Sequence, residues 1–196
     1  MYSLKHRLFL RATRRGHISF MRAYLWVHSP DHPLLGRALH HALLAQETAS
    51  LQLLLASGAP VHFPNQEGMT PLHVAARMGF SEDIDQLLDA GALVDLPWNK
   101  HGQTALHLAC HVSDVEFPEE TVAVLLARQA HVNARDKAGH TPLHVAAAYG
   151  TISMVKLLLE HGSDLMARNQ RGLTPLAVAE EIGSVEMENF LASYVM

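Results

Sequence analysis

A tetrapeptide recurs along this chain at nearly constant spacing, and it constrains the fold more than any other feature. The threonines that begin the four copies are separated by 34, 37 and 33 residues. A fixed period of this length indicates a repeat array, in which each unit packs only against its neighbours. Such an array has no single catalytic pocket, but it offers a long surface of variable side chains. The copies are Thr70-Pro71-Leu72-His73, Thr104-Ala105-Leu106-His107, Thr141-Pro142-Leu143-His144 and Thr174-Pro175-Leu176-Ala177.

The unit at residues 141–173 shows how one repeat is predicted to fold. Thr141 can cap the N-terminus of a first helix, and Pro142 suits the first helical position because its missing N–H costs nothing there. We expect Gly150 to end this helix as a left-handed C-cap, and the apolar spacing that follows predicts a second helix. A glycine also ends the second helix, and residues 169–172 have the composition of a tight turn.

Two units depart from this pattern. The unit at 104–140 carries about four extra residues between Asp114 and Thr121. Gln129 stands where the other units have glycine, and a left-handed backbone there would cost about 1 kcal/mol. The unit at 37–69 keeps only the leucine and histidine of the tetrapeptide.

The repeated pattern resembles the ankyrin repeat over residues 37–196. It consists of Thr-Pro-Leu-His, two small residues and a glycine, then a Leu-Leu pair followed by Gly-Ala. The resemblance implies an all-α solenoid of helix–turn–helix units joined by short β-hairpin fingers, with the tetrapeptide histidines hydrogen-bonding between units. The predicted repeats are 37–69, 70–103, 104–140 and 141–173, followed by a C-terminal cap at 174–196.

The first 36 residues form a basic segment that aligns as a degenerate ankyrin repeat. Residues 1–30 contain six lysines and arginines and no acid, so they carry +6 of a net charge of −4 and leave −10 for the remainder. Three interpretations stay open. The segment is a terminal capping repeat, a binding patch for an acidic partner, phospholipid or nucleic acid, or a mitochondrial transit peptide.

Composition and charge limit the partners and the cellular compartment that we expect for this protein. The overall charge favours neither nucleic acid nor a membrane surface, and no apolar run reaches the ~18 residues of a membrane span. Cys110 is the only cysteine, so no internal disulfide can form, which fits a reducing compartment. We therefore expect a cytoplasmic or nuclear monomer with no cofactor.

Metal binding and catalysis are both disfavoured. His107 and His111 lie four residues apart on a predicted helix with Cys110 between them, which is a conceivable zinc pair. However, His107 is the histidine of its repeat, Cys110 takes a small buried position, and no further ligands are evident. The chain has no phosphate-binding glycine loop, nucleophile elbow or H-E-x-x-H motif, so we predict no catalytic, cofactor or metal residues.

The resemblance implies binding through the concave side of the array and the finger tips. Apolar and aromatic residues at these positions predict an exposed patch for a protein partner, flanked by basic side chains. Trp98 has a second interpretation, in which it folds back to support its own finger. The candidate residues are Met69, Arg77, Met78, Trp98, Lys100, His101, Gln103, His111, Val112, His140, Tyr149 and Arg171.

The resemblance also implies a candidate modification. Cytosolic ankyrin proteins are frequently hydroxylated on a finger asparagine, and Asn133 resembles that position, with Val132 before it and Leu125 eight residues upstream. His131 replaces the usual acidic residue.

The predicted function is a non-enzymatic protein–protein interaction module. Two alternatives remain. The first is an adaptor that delivers a substrate to a larger complex such as a ubiquitin ligase, although no SOCS box is seen. The second is a regulator of a nuclear or cytosolic signalling partner.

Overall fold

A computed structural model describes residues 4–28, 31–98, 100–111 and 118–194. These residues form twelve α-helices and no β-strand. Within this part of the chain, no helix is long and apolar enough to span a bilayer. The helices are α1 Leu4–Thr13, α2 Ile18–Val27, α3 His32–Leu44, α4 Thr48–Ala56, α5 Pro71–Met78, α6 Ser81–Asp89, α7 Ala105–Ala109, α8 Pro118–Ala127, α9 Pro142–Tyr149, α10 Ile152–Glu160, α11 Pro175–Ile182 and α12 Val185–Ala192.

Consecutive helices pair, and the pairs stack into a solenoid. Each odd-numbered helix packs on the odd-numbered helix of the next pair, and the even-numbered helices from α2 to α10 pack on one another in the same way. The leucines of the tetrapeptides form one continuous core because they lie at the same buried position, and Leu72, Leu106 and Leu143 are at most 2% exposed. The all-α solenoid predicted from the repeat spacing is confirmed.

The first helices of three pairs begin with the same reciprocal cap. In α5, the backbone N–H of His73 donates to the Thr70 hydroxyl, and the backbone N–H of Thr70 donates to His73 Nδ1 over 3.3 Å. Thr104 with His107, and Thr141 with His144, repeat this arrangement at α7 and α9. Two helix N–H groups that would otherwise lack partners are satisfied within each buried cap.

The other nitrogen of each ring holds the segment that leads to the next first helix. Because Nδ1 accepts a backbone N–H, the neutral ring carries its proton on Nε2 and donates from there. His73 Nε2 lies 2.8 Å from the Leu96 carbonyl oxygen, and His107 Nε2 lies 3.0 Å from that of His140. His144 reaches Leu173 in the same way, at 3.0 Å. Each carbonyl lies before the next first helix but inside the bounds predicted for the histidine's own repeat, so the prediction of hydrogen bonds between units is wrong for those bounds. We call these three bonds the histidine ties.

The fingers are closed turns that follow the second helices, at residues 65–69, 98–103, 136–140 and 169–173. In the first, the backbone N–H of Asn65 donates to the Met69 carbonyl over 2.8 Å. The last three fingers are linked by one backbone bond at each junction, from Lys137 N to His101 O and from Gln170 N to Ala138 O. The pairing is hairpin-like, but it is too short to form a strand within the described residues.

Gly150 does not adopt the left-handed conformation predicted for it. Its φ is −91° and its ψ is −174°, because the next residue, Thr151, starts α10 as an N-cap that accepts from Met154 N. A Cβ on Gly150 would lie 2.8 Å from the backbone of Ala146. Glycine is needed here for a close approach of two chain segments rather than for a positive φ.

The N-terminal units differ from the predicted boundaries. The proposed division between residues 36 and 37 lies inside α3, which begins at His32 with Asp31 as its N-cap. Before it, α1 and α2 pack on each other, and Phe9 and Met21 are fully buried in the common core. Of the insertion in the third unit, residues 118–121 form the first turn of α8, and residues 112–117 lie outside the described part of the chain.

Gln129 has a φ of +64°, so the predicted left-handed backbone is confirmed. We expect Gln129→Gly to raise the free energy of unfolding by about 1 kcal/mol, because glycine removes the Cβ penalty of this conformation. Gly162→Ala is the matched control at the equivalent position, where φ is +85° and a Cβ would meet nothing within 4 Å. It should lower stability by a similar amount in urea titrations. A Gln129→Gly variant that is no more stable than the unmodified protein would contradict the assignment.

Stability should fall as the pH drops below about 6.5, the pKa of an unfolded histidine. Burial lowers the pKa of His73, His107 and His144 in the folded protein, with their backbone hydrogen bonds offsetting part of the shift. Below pH 6.5 the unfolded chain therefore binds more protons than the folded one, at a cost of up to about 1.4 kcal/mol per pH unit for each proton. Burial raises the pKa of Asp83, which acts in the opposite direction at the lower pH where carboxyls titrate.

Urea titrations at neutral pH and at mildly acidic pH measure this dependence. Glutamine at the third helical position preserves a capping box, so His107→Gln should reduce the pH dependence while keeping the helix start. His101→Gln removes an exposed histidine and should leave the dependence unchanged. If the free energy of unfolding stays constant or rises on acidification, the buried histidines do not destabilise the protein at low pH and the prediction is wrong.

Candidate functional site

The ends of the first helices and the adjacent fingers form one continuous surface, which we call the first-helix face. Its variable side chains lie in the last turn of each first helix or just beyond it, where they point away from the core. They are exposed in every pair from α5 onward. The helix-end members are Arg77, Met78, His111, Tyr149, Glu181 and Ile182.

An aromatic contact lies at the middle of this face. The Tyr149 ring, at the end of α9, lies against the His111 ring after α7, with centroids 4.6 Å apart and planes inclined by 35°. Tyr149 remains 55% exposed, and His111 is also exposed. The contact therefore joins two neighbouring units and still presents aromatic surface to solvent.

Ion pairs border this contact on both sides. In the unit of α5, Glu67 of the finger pairs with Arg77 at the helix end, 3.3 Å apart. In the unit of α11, Arg171 pairs with Glu181 in the same two positions. The positions ten residues apart thus carry opposite charges in both units, with the order of the signs reversed.

The two central units cannot form this pair. The corresponding positions hold His101 and His111 in one unit, and Ala138 and Ala148 in the other. The middle of the face is therefore free of the finger-to-helix ion pair. Sequence analysis did not predict these two ion pairs, although the swap of charges ten residues apart in two repeats was a signal that could have found them.

A pocket of about 500 Å³ lies between the fingers of the same central units. Asp136, on its wall, is turned inward, where it accepts from Ala138 N at 2.9 Å and His140 N at 2.8 Å. The charged groups that reach solvent here are cationic. The lining residues are Trp98, Lys100, His101, Gln103, Asp136, Lys137, Ala138 and Gln170.

Trp98 and Met69 are buried, so the prediction that they belong to an exposed patch is wrong. They are 8% and 3% exposed. Trp98 takes the finger position that Asn65, Asp136 and Asn169 hold elsewhere. Those side chains accept two backbone N–H groups of their own turns, which an indole cannot do.

The indole of Trp98 instead turns back onto the preceding finger. Its Nε1 donates to the Glu67 carbonyl over 2.9 Å, and Gly68 leaves room beside the ring. The alternative interpretation of Trp98 as a support for its finger agrees with this geometry.

The other candidates divide between exposed and half-buried positions. Lys100, His101 and Arg171 are exposed on the fingers, whereas Gln103 and His140 are half-buried and offer their carbonyls to Trp98 N and to His107. Val112 lies outside the described residues.

Asn133 bridges two units with both ends of its amide. Its Nδ2 donates to the Gly162 carbonyl over 3.0 Å, and its Oδ1 accepts from Asp164 N over 2.8 Å. A hydroxyl group on its Cβ would leave both bonds intact, so hydroxylation of Asn133 stays a prediction.

Cys110 has no access to solvent and is not poised for chemistry. It is fully buried at the small-residue position, as predicted, and burial raises the pKa of its thiol far above the usual range. A nucleophilic or metal-binding cysteine needs the thiolate, which this environment opposes. Among the described residues, no group of three or more His, Cys, Asp or Glu side chains is placed to hold a metal ion.

Three curated relatives each match this chain over 118 residues. The mouse nuclear factor NF-kappa-B p105 subunit is 37% identical over 118 residues, which cover 58% of this chain. Alpha-latrotoxin-Lt1a of Latrodectus tredecimguttatus is 30% identical, and alpha-latrotoxin-Lh1a of Latrodectus hasselti 29%, each over 118 residues and 59% of this chain. The match spans only 12% of the p105 subunit and 8% of each latrotoxin.

Family models account for most of the chain. A model described as ankyrin repeats in three copies matches residues 8–97 and 39–136, and one described as ankyrin repeats in many copies matches residues 124–179. Together with the stacked helix pairs and the capped tetrapeptides, these matches show that the chain belongs to the ankyrin repeat family.

Proposed function

We propose that this protein is a non-enzymatic module that binds a partner protein through the first-helix face. Ankyrin repeats are generally protein–protein interaction modules. The observation that carries the proposal is the exposed Tyr149–His111 contact at the centre of the face. Tyrosine is among the residues that most often anchor protein interfaces, because it offers a large apolar ring with a polar end at low entropic cost.

The distribution of charge supports the same centre. A partner that covers the helix ends of the two central units desolvates aromatic and small side chains, while the ion pairs at Glu67–Arg77 and Arg171–Glu181 stay near the rim. Interfaces are commonly arranged in this way, with an apolar core inside a polar border. A specific partner of ordinary size would bury roughly 800 Å² of this chain.

The face is also held in place before a partner arrives. The histidine ties and the backbone bonds between fingers fix successive units relative to each other. Binding to a surface that is already ordered avoids part of the entropic cost of association. We infer that the protein works as a monomeric scaffold in the cytoplasm or the nucleus, consistent with its single buried thiol.

Replacing two exposed residues of the first-helix face should abolish partner capture without unfolding the protein. We expect Met78→Ala combined with Tyr149→Ala to lose specific partners in affinity-purification mass spectrometry, because both side chains are exposed on the first-helix face. The melting temperature should stay close to that of the unmodified protein. Leu93→Ala removes an equally exposed apolar side chain elsewhere and should keep every partner. Full retention by the double variant would place the binding site on another surface.

Trp98→Ala should behave differently, as a stability variant. Loss of the buried indole and its bond to Glu67 should lower the free energy of unfolding by about 3 kcal/mol, measured by urea titration. Partner binding by the fraction that remains folded should be weakened much less than in the Tyr149 variant. An unchanged unfolding free energy would contradict the structural role assigned to Trp98.

A further inference from the structure

The outer side of α1 and α2 is a second surface with the properties of a binding site, which we call the N-terminal face. The inner sides of these helices pack on α3 and α4, and Phe9 and Met21 are fully buried there. The outer side exposes large apolar side chains that no described helix covers. They are Leu4, Leu8, Phe20, Trp26 and Val27, with Leu4 73% and Trp26 89% exposed.

Two grooves run along this face on either side of a ridge. Leu8 of α1 and Phe20 of α2 line both grooves, so they form the ridge between them. The first groove, of about 300 Å³, is completed by Lys5, Ala23, Tyr24, Val27 and His28. The second groove, of about 210 Å³, is completed by Arg11, Ala12, Arg15 and His17.

The charge around the grooves has one sign. Lys5 stands at the first groove, and Arg11 and Arg15 stand at the second. All six cations of residues 1–30 are exposed, and none of the ion pairs between described residues involves them. They are Lys5, Arg7, Arg11, Arg14, Arg15 and Arg22.

Two carboxylates lie close to this face, and neither forms an ion pair with a described residue. Asp31 is engaged as the N-cap of α3, where it accepts from Leu34 N at 2.9 Å. Glu47 lies against Gly16, so close that a Cβ there would be 2.3 Å from its carboxylate. The apolar grooves are therefore bordered by cations that form no ion pair with a described residue.

We propose that the N-terminal face binds an acidic amphipathic helix of a partner protein. The apolar side chains of that helix would occupy the two grooves beside Leu8 and Phe20, and its carboxylates would face Lys5, Arg11 and Arg15. α1 has ten residues and is about 15 Å long, so the matching helix would have about three turns. Helices pack by inserting ridges into grooves of this kind.

The paired grooves favour a helix over the two other occupants. A bilayer surface attracts cations and exposed apolar groups, but it has no side chains to fill two separate grooves. The second alternative is another copy of this chain, whose C-terminal unit carries Glu180, Glu181, Glu186 and Glu188 without a lysine or arginine. Binding to that unit would join copies head to tail, which forms open filaments unless the rotation closes a ring.

A labelled synthetic peptide tests the proposal with the full chain. The peptide has about 14 residues, with leucines at helical i, i+3, i+4 and i+7 spacing and glutamates between them. Fluorescence anisotropy should show binding that is at least about tenfold tighter than for a scrambled peptide of the same composition, and that weakens as salt is added. Equal affinity for the two peptides, or no binding, would overturn the proposal.

Variants of the protein locate the binding. Leu8→Ser with Phe20→Ser should weaken peptide binding at least about tenfold, because both apolar contacts of the ridge are lost. Arg11→Glu with Arg15→Glu tests the charge by a route that does not alter the ridge, and it should weaken binding by a similar factor. The controls Leu93→Ser and Lys156→Glu make matched changes elsewhere and should leave affinity unchanged. Binding that survives both paired variants would contradict the assignment.

Two further measurements decide between occupants. Vesicles of phosphatidylcholine with about 30% phosphatidylserine should not co-sediment with the protein more than neutral vesicles do. Sedimentation equilibrium should show a monomer. If vesicles bind and this binding depends on Leu8 and Phe20, the occupant of the face is a membrane and the proposal is wrong. If the protein self-associates and Glu186→Lys with Glu188→Lys abolishes this, the occupant is a second copy of the chain. The Met78 and Tyr149 double variant should bind the peptide normally, so this result is independent of the first-helix face.

Discussion

The structure depends on a buried histidine that makes two hydrogen bonds at once, one at the start of its own helix and one to a distant backbone carbonyl. In three successive units, the Nδ1 atom accepts the backbone N–H of the capping threonine, and the Nε2 atom donates to a carbonyl in the segment that leads to the next first helix. Buried polar groups are costly unless they are paired, so this bonding fixes both the start of the helix and the placement of its neighbour. A local cap and a long-range contact are thereby carried by one side chain.

Because this constraint is repeated, the surface between the ties is free to vary. The outer units use the positions ten residues apart for ion pairs, at Glu67–Arg77 and Arg171–Glu181. The central units use the same positions for histidines and alanines, and there the Tyr149 ring lies against His111. The two proposed binding faces also expose different side chains. The first-helix face presents an aromatic centre, whereas the N-terminal face presents apolar grooves bordered by cations.

Much of the fold could be predicted because its determinants are local and repeated. The threonine caps, the buried leucines and the left-handed backbone at Gln129 follow from spacing and from the chemistry of single residues. The exposure of the candidate site could be predicted less well. Met69 and Trp98 occupy variable positions, but their burial depends on the adjacent finger, whose Glu67 carbonyl receives the indole N–H. Gly150 was mispredicted because Thr151 caps the next helix and redirects the turn.

The sequence by itself determined the repeat, its period, the residues that begin and end its helices, and the positions at which the copies vary. Those properties lie in stretches of a few residues, where backbone conformation and hydrogen bonding are set by immediate neighbours. Only the tertiary structure decided which variable side chains reach solvent, which charges pair across ten residues, and where Leu8 and Phe20 meet to divide two grooves. Exposure and pairing are properties of stacked units, because each side chain's surroundings are supplied by residues that belong to another helix or finger.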